Sequence, residues 1–508
     1  MILDFGSQYT QLIARCVREI GVYCEIISCN ASDETIKSFN PAGIILSGGP
    51  ETVTTINTPR APECVFQLGC PILGICYGMQ SMAKQLGGNV IADAHSEFGH
   101  ADLDVVENNL LLNQTTYHVW MSHGDQVATL PDGFICIGKT HNSPIAAMAN
   151  LQKKFYGVQF HPEVTHTKAG REILTNFLFS ICECKPNWTS DNVVEKIITG
   201  LKQKYQGVDQ KSKVLLGLSG GVDSLVAAVL LQKVFQNNLV CIYVDHGLQR
   251  LQEADYLLNN LSKKLQLNII AVDAKQKFLS ALKNISDPEL KRKKIGELFI
   301  DVFINEAHKI SNVKFLAQGT IYSDVIESSH QGHHSKVIKS HHNVGGLPEK
   351  LALPLIEPLR ECFKDEVRRI GIHLGLQHEE VYRHPFPGPG LAVRILGEVT
   401  EAALETLRKA DYIFMQELYK ENYYHRVSQA FCVYLPVNSV GVTGDARLYA
   451  PIIALRAVES VDFMTAKASD LPHAFLQHVA RRITNEVKNI SRVVYDVTSK
   501  PPATIEWE

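Results

Sequence analysis

The chain has 508 residues, enough for two to four domains that each bury a core. Hydrophobic residues make up 45% and charged residues 20%, and a formal net charge of -3 excludes the basic surplus that nonspecific nucleic-acid binding needs. No apolar run approaches the ~18 residues that span a bilayer, and the first residues lack the charged and apolar segments of a signal peptide, so a cytoplasmic protein with no nucleic-acid or membrane partner is expected.

Twelve cysteines are scattered over the whole length. There is no CxxC pair and no Cys/His cluster with zinc spacing, and Cys182 and Cys184, two apart, have no such partners. Reduced cytosolic thiols, one of them catalytic, are expected, without zinc, haem or flavin.

In chain order, residues 1–184 alternate short apolar runs with amphipathic stretches, the pattern of an α/β domain with sites at the carboxyl ends of strands. The first strand, over 2–5, is short enough to suggest a trimmed start. Runs at 44–46 and 71–75 end in glycine-containing turns, and a helical pattern follows the second. A Pro-bearing stretch with cap-type residues marks a linker over 185–192. Strands are then expected at 214–218, 240–244, 268–272 and 314–317, with helices at 225–235 and 254–265 between them, which reads as a parallel sheet with crossovers over 193–385. The prolines and glycines of 384–390 admit no helix. Residues 386–508 read as a small α+β module with a helix at 401–421 and strands at 430–435, 451–457 and 492–497.

In Gly74-Ile75-Cys76-Tyr77-Gly78, small residues two before and two after a nucleophile permit a tight strand-to-helix turn. The thiol then sits at a helix N-terminus, where the dipole favours thiolate. The Tyr77 amide and the Ser47-Gly48-Gly49 turn can donate to an oxyanion. Phe160-His161-Pro162-Glu163 follows a strand and offers a base with an orienting acid. Taken alone, such a cysteine is more often a core residue and His-Pro-Glu a surface turn. Together these motifs resemble the class I (triad) glutamine amidotransferases. The resemblance implies Cys76 as nucleophile, His161 as base and Glu163 as its acid. It also implies Gly48, Gly49 and Tyr77 at the oxyanion, and Gln80 with Ser122, His123, Gly124 and Asp125 at the glutamine.

Ser219-Gly220-Gly221-Val222-Asp223-Ser224 follows a strand and opens a helix, presenting backbone amides to an anion. It lacks the lysine of a Walker A loop, and Asp223 suits a magnesium-bound phosphate. The string resembles the PP-loop of ATP pyrophosphatases, which implies ATP contacts at 219–224, Leu225, Asp245 and Gly319. Gln318-Gly-Thr-Ile-Tyr-Ser-Asp-Val-Ile-Glu-Ser, Lys339-Ser-His-His-Asn-Val-Gly-Gly, Phe386-Pro-Gly-Pro-Gly-Leu, Gly444-Asp-Ala-Arg and Ser499-Lys-Pro-Pro-Ala-Thr-Ile-Glu-Trp-Glu are similar to strings of the GMP synthetases, and the resemblance covers essentially the whole chain, with three domains in that family's order. That resemblance implies lid and adenylation roles for Asp324, Glu327, Lys339, His341, His342, Lys364 and Asp365, with Mg2+ at Asp223, Asp324 and Glu327. It implies contacts to xanthosine monophosphate (XMP) from Arg292, Pro387, Gly388, Gln429, Asp445, Arg447, Lys500, Ile505 and Glu506, and a homodimer formed through 386–508. The substrates implied are glutamine, ATP and XMP, with ammonia passing unprotonated between two sites and glutamine cleavage waiting for XMP and ATP. Another glutamine-fed PP-loop ligase, such as an NAD synthetase, is the rival enzyme. A catalytically idle binding protein would show broken motifs, and these are intact.

Overall fold

The computed structural model describes the chain except Gln8, Ile56, Gln210, 330–350, Gly444, Asp445, Val461, Asp462 and Met464, and the side chains of 93–95, 327–329 and 443. The chain divides into two compact units, Met1–Val193 and Val194–Glu508.

Among the described residues, the first unit holds a nine-stranded sheet. Its strands are β1 (Ile2–Asp4), β2 (Ile26–Ser28), β3 (Ile44–Leu46), β4 (Ile72–Ile75), β5 (Asn89–Val105), β6 (Thr116–Thr129), β7 (Ile135–Lys139), β8 (Ala147–Asn150) and β9 (Phe155–Val158). Their order is β2-β1-β3-β4-β9-β8-β7-β5-β6. The first five run parallel, and β8, β7 and the long β5–β6 hairpin continue antiparallel. The central parallel strands β3, β4 and β9 are buried along their whole length, as expected of parallel strands covered on both faces, where no polar alternation is needed. Strands β4 and β9 are neighbours, with Ile75 opposite Val158, so the loops after them emerge side by side. That adjacency brings residues 76 and 161 to one edge of the sheet.

The 185–192 stretch, read from sequence as a linker, packs on its own unit. Trp188 is buried, its amide donates to the Gly21 carbonyl at 2.9 Å, and the Arg18 guanidinium lies over its ring. The following helix begins at Ser190.

Among its described residues, the second unit carries a five-stranded parallel sheet in the order β12-β11-β10-β13-β14. Its strands are β10 (Lys213–Gly217), β11 (Leu239–Asp245), β12 (Ile269–Asp273), β13 (Val313–Ala317) and β14 (Leu355–Ile356). A separate four-stranded sheet is built on the hairpin of β15 (Gln429–Thr443) and β16 (Ala446–Glu459), with β17 (Lys467–Ala468) and β18 (Arg492–Tyr495) against β16. The two sheets share one apolar core. Leu215 and Ile242 of the first belong to the same buried cluster as Leu407, Phe414, Cys432 and Leu455 around the second. Residues on both sides of position 386 therefore fold as one body.

Candidate active site

Cys76 stands between β4 and the helix Tyr77–Gln85 with φ 51 and ψ -109. That backbone is costly for a residue with a Cβ, roughly 1–3 kcal/mol, and it persists because the surroundings admit nothing else. A Cβ at Gly74 would stand 2.7 Å from the Met79 nitrogen, and one at Gly78 only 2.3 Å from the Leu46 carbonyl oxygen. Both glycines are thus sterically required, and the turn they permit lifts the thiol off the sheet edge. Tyr77 is the first residue of the helix, so its amide has no carbonyl one turn back to donate to.

His161 and Glu163 are both buried, and Nδ1 of the imidazole lies 2.7 Å from the Glu163 carboxylate. Its amide donates to the Trp120 carbonyl, and Thr167 donates to its carbonyl at 2.7 Å, so the ring is held from both ends. Burial works against its protonation. The Glu163 charge and hydrogen bonds to Cys76 and Glu163 outweigh burial and raise it from 6.5 to about 11. The imidazolium is therefore the neutral-pH form.

The glycine turn after β3 touches both groups. A Cβ at Gly48 would be 3.5 Å from His161 Cε1, and one at Gly49 would be 3.1 Å from the Tyr77 ring. Cys76 Sγ donates to the Ser122 carbonyl at 3.7 Å. Gln80 Nε2 donates to the Asp125 carbonyl at 2.8 Å, and His123 Nδ1 lies 3.0 Å from the same oxygen. Gly124 lies within this β6 segment. The eleven amidotransferase residues expected from sequence thus lie together, around the carboxyl ends of β3, β4 and β9 and along the middle of β6.

Sequence reasoning missed others here. Gln159 is fully buried, donates from Nε2 to Cys76 Sγ at 3.6 Å and accepts from Gln80 at 3.2 Å. Thr52 donates to the Asp125 carboxylate, and Glu97, 3.6 Å from His123, accepts from Thr140. An amide side chain two residues before His161, at the end of an apolar strand, was the available signal for Gln159.

In the second unit, Ser219–Ser224 bridge β10 and the helix Val222–Phe235. Gly220 takes φ 80, and the Gly221 amide donates to the Ser219 hydroxyl at 3.2 Å. Leu225 is buried beneath the loop, and a Cβ at Gly319 would be 3.0 Å from the Ser224 nitrogen. Lys364 Nζ lies 2.6 Å from Asp223 Oδ2. Asp223 Oδ1 is buried without a hydrogen-bond partner, an acceptor that fits a hard divalent cation. Asp324 accepts from the Ile321 amide at 2.9 Å, on a helix whose Tyr322 ring meets Phe363, next to Lys364. Asp365 Oδ2 is 3.8 Å from Arg369. Asp245 ends β11 and pairs with Lys275 at 3.0 Å. Lys339, His341, His342 and Asp445 lie outside the described residues, as does the Glu327 side chain.

Glu506 accepts two bonds from the fully buried Arg394, at 2.8 and 3.0 Å, and one from Gln429 at 2.7 Å. Ile505 packs with Phe431 in the adjoining cluster. Arg292 donates to the Glu508 backbone carbonyl at 2.5 Å, and Lys500 to the Phe463 carbonyl at 2.8 Å. The Pro387 carbonyl accepts from the Gly390 amide, and Gly388 lies within that turn. Arg447 does not join this group. It is exposed at the tip of the β15–β16 hairpin, opposite Val442, whereas Gln429 begins the hairpin at its other end. At ~3.3 Å rise per residue the two ends stand about 40 Å apart. Arg394 and Lys291, which hold the carboxylates of Glu506 and Glu508, were missed for different reasons: Arg394 is a lone basic residue in an apolar run, and Lys291 belongs to a charged run, Glu289–Lys294, that reads as a solvated helix face.

The profile of the family "Glutamine amidotransferase class-I" matches residues 1–181, "NAD synthase" matches 193–297, and "GMP synthase C terminal domain" matches 416–507. The chain is 58% identical over 522 residues to "GMP synthase [glutamine-hydrolyzing]" of Coxiella burnetii (strain RSA 493 / Nine Mile phase I), covering 100% of this chain and 98% of that protein. The protein of the same name from Histophilus somni (strain 129Pt) is 56% identical over 518 residues, with the same coverage. The solved structure of a putative GMP synthase subunit from Thermoplasma acidophilum is 29% identical, with a TM-score of 0.32, covering 36% of this chain and 92% of that one. With its whole length matched at this identity, the chain belongs to the glutamine-hydrolysing GMP synthase family of glutamine-dependent ligases.

Proposed function

We propose that this chain converts XMP to GMP, taking the amino nitrogen from glutamine and the driving force from ATP. The observation that carries this reading is one chain holding both a strained cysteine beside the His161–Glu163 pair and the Ser219–Ser224 anion loop, in a family of GMP synthases.

In the first unit, Cys76 Sγ attacks the glutamine carboxamide carbon. The developing oxyanion meets the Tyr77 and Gly49 amides. His161 delivers its proton to the departing nitrogen, ammonia leaves, and a thioester remains. His161 then takes a proton from water, whose oxygen displaces Cys76 to give glutamate. Glu163 keeps the imidazole oriented and compensates its charge throughout.

In the second unit, the amides of Ser219–Ser224 receive the departing pyrophosphate while Lys364 neutralises charge beside Asp223. Asp223, with Asp324 and Glu327, would hold Mg2+, which supplies charge neutralisation on the phosphates. The XMP C2 oxygen attacks the ATP α-phosphorus and pyrophosphate leaves. Ammonia then adds at C2 and expels AMP, a far better leaving group than hydroxide. Gln429 and Glu506, held by Arg394, offer a donor and an acceptor to the purine edge. The "NAD synthase" profile favours adenylation of another acceptor, but it ends at residue 297, and the match over 416–507 belongs to GMP synthases.

A homodimer through the C-terminal sheet belongs to the same proposal. Val437, Val440, Val442, Tyr449 and Val497 are all exposed there, an apolar face that a second copy would cover. Residence in the cytoplasm belongs to the same proposal and is supported by cysteines that form no disulfide among the described residues. No described helix is long and apolar enough to cross a membrane.

The decisive assay supplies XMP, MgATP and either glutamine or ammonium to wild type and Cys76→Ala, following XMP loss and AMP release. The expected variant makes GMP from ammonium and none from glutamine. A wild type that consumes no XMP with either nitrogen source overturns the reading.

A further inference from the structure

Outside both sites, unassigned chemistry sits where the helix Gly170–Thr175 and its wider continuation Asn176–Ile181 end. Cys182 caps that continuation, and Glu183 then takes φ 56, a left-handed conformation that costs ~1 kcal/mol or more in a residue with a Cβ. Two bonds close the turn, from the Cys182 amide to the Phe177 carbonyl and from the Cys184 amide to the Leu178 carbonyl, each 2.9 Å. Lys154 holds it from outside, with Nζ 3.0 Å from Glu183 Oε1 and 3.3 Å from the Ile181 carbonyl.

A continuing helix would send residues two apart to different faces. The left-handed residue between them turns the second cysteine back toward the first, close enough for each thiol to act on the titration of the other. Both cysteines are partly exposed. Their sulfurs differ in surroundings. Cys182 Sγ is tucked against Gly43, where an added Cβ would be 2.4 Å away, so it is the less approachable of the two. The hydrogen bond from Cys182 brings Cys184 down to about 7, and the same bond together with burial pushes Cys182 far up. At neutral pH one sulfur is therefore a ready nucleophile while its neighbour keeps its proton.

We propose that Cys182 and Cys184 form a redox-responsive dithiol that low-molecular-weight disulfides oxidise to an intramolecular disulfide. Cys184 thiolate attacks one sulfur of the small disulfide, that S–S bond breaks, and one small thiolate leaves. Cys182 then loses its proton to solvent and attacks Cys184 Sγ, and the second small thiolate departs. Two protein thiols are oxidised by two electrons, and one small disulfide becomes two thiols. A ring closed across a single intervening residue is strained, so dithiothreitol should reopen it readily. The inference needs neither nucleotide nor glutamine and stands apart from the synthase reading.

The test incubates the whole chain with oxidised glutathione near neutral pH, alkylates remaining thiols and digests with trypsin. The peptide starting at Glu172 carries these two cysteines and no other. In wild type it is expected to lose two hydrogens, escape alkylation at both positions and recover with dithiothreitol. Cys182→Ser should retain a glutathionyl group on Cys184, and Cys184→Ser should slow modification of Cys182 about 10-fold. Because either serine can disturb the turn, the wild-type rate is also followed against pH, with a midpoint expected near 7 rather than near an ordinary thiol value. The proposal is overturned if both positions are alkylated while partly exposed Cys136 is oxidised, if the mixed disulfide never closes, or if Cys184→Ser reacts as fast as wild type.

Discussion

At the residue scale, His161 ties chemistry to stability. Its folded-state value near 11 lies above the ordinary 6.5, so the stabilisation from its charge is complete below about 6.5 and fades as pH climbs toward 11. Glu163→Gln removes the attractive carboxylate. The gap in urea midpoint between wild type and Glu163→Gln should be largest near pH 6 and narrow steadily by pH 10. A gap that ignores pH would mean that Glu163 acts on packing alone. The same variant is expected to lose about 100-fold or more in glutamate release while making GMP from ammonium at the wild-type rate. Gly78 offers a steric counterpart. Gly78→Ala drives a methyl to 2.3 Å from the Leu46 oxygen and should cost about 2–3 kcal/mol in denaturant unfolding, with loss of glutamine cleavage. If it unfolds like wild type, the turn is looser than its geometry implies.

At the element scale, the loop after β11 is bound to the helix Glu401–Lys420. Arg408 donates to the Gly247 and Gln249 carbonyls, and Arg250 lies 3.0 Å from Asp411 and donates to the Ala430 carbonyl beside Gln429. Asp411 is almost fully buried, so Arg250→Met strands a carboxylate and should cost about 3–5 kcal/mol. Adding Asp411→Asn should recover at least half of that loss in urea unfolding, and simple additivity of the two changes would deny the coupling.

None of this loop-to-helix clamp was legible in the sequence, because Arg250 and Asp411 are 161 positions apart and neither carries a motif. What was legible has a local cause. Four strands of the second unit's parallel sheet were found within a residue or two because each is a short apolar run bounded by turn residues, as at Lys213–Gly217 against the expected 214–218, whereas the two-residue β14 is too short to leave such a run. The long β5–β6 hairpin escaped, since its burial alternates imperfectly and polar residues such as His118 and Asp102 pair across it on the exposed side. The glutamine site was readable because glycine and cysteine at fixed spacing record a steric demand. The contacts of Gln159 and Arg394 depend on which distant segments meet, and no spacing encodes that.

For the whole molecule, the two units should unfold as separate calorimetric transitions, each with its own core. Deleting residues 505–508 strips Lys291 and Arg394 of their carboxylates. With buried cations left unpaired at roughly 3–5 kcal/mol each, the Val194–Glu508 transition should fall by at least about 6 °C while that of Met1–Val193 holds. Both transitions moving together would show that the units do not unfold independently.

The closure of that second unit by its own tail has a consequence for how the protein is born. Glu508 follows Lys291 by 217 positions, and Glu506 follows Arg394 by 112. A ribosome adding about 5–20 residues per second needs on the order of 10–40 s to make the longer stretch. Through that interval the amidotransferase unit can already be folded, while the nascent synthetase carries cations whose counterions have not been translated. Ribosomes stalled before codon 506 should display a protease-resistant first unit joined to a protease-sensitive second one, with resistance arriving only as the last acidic residues emerge.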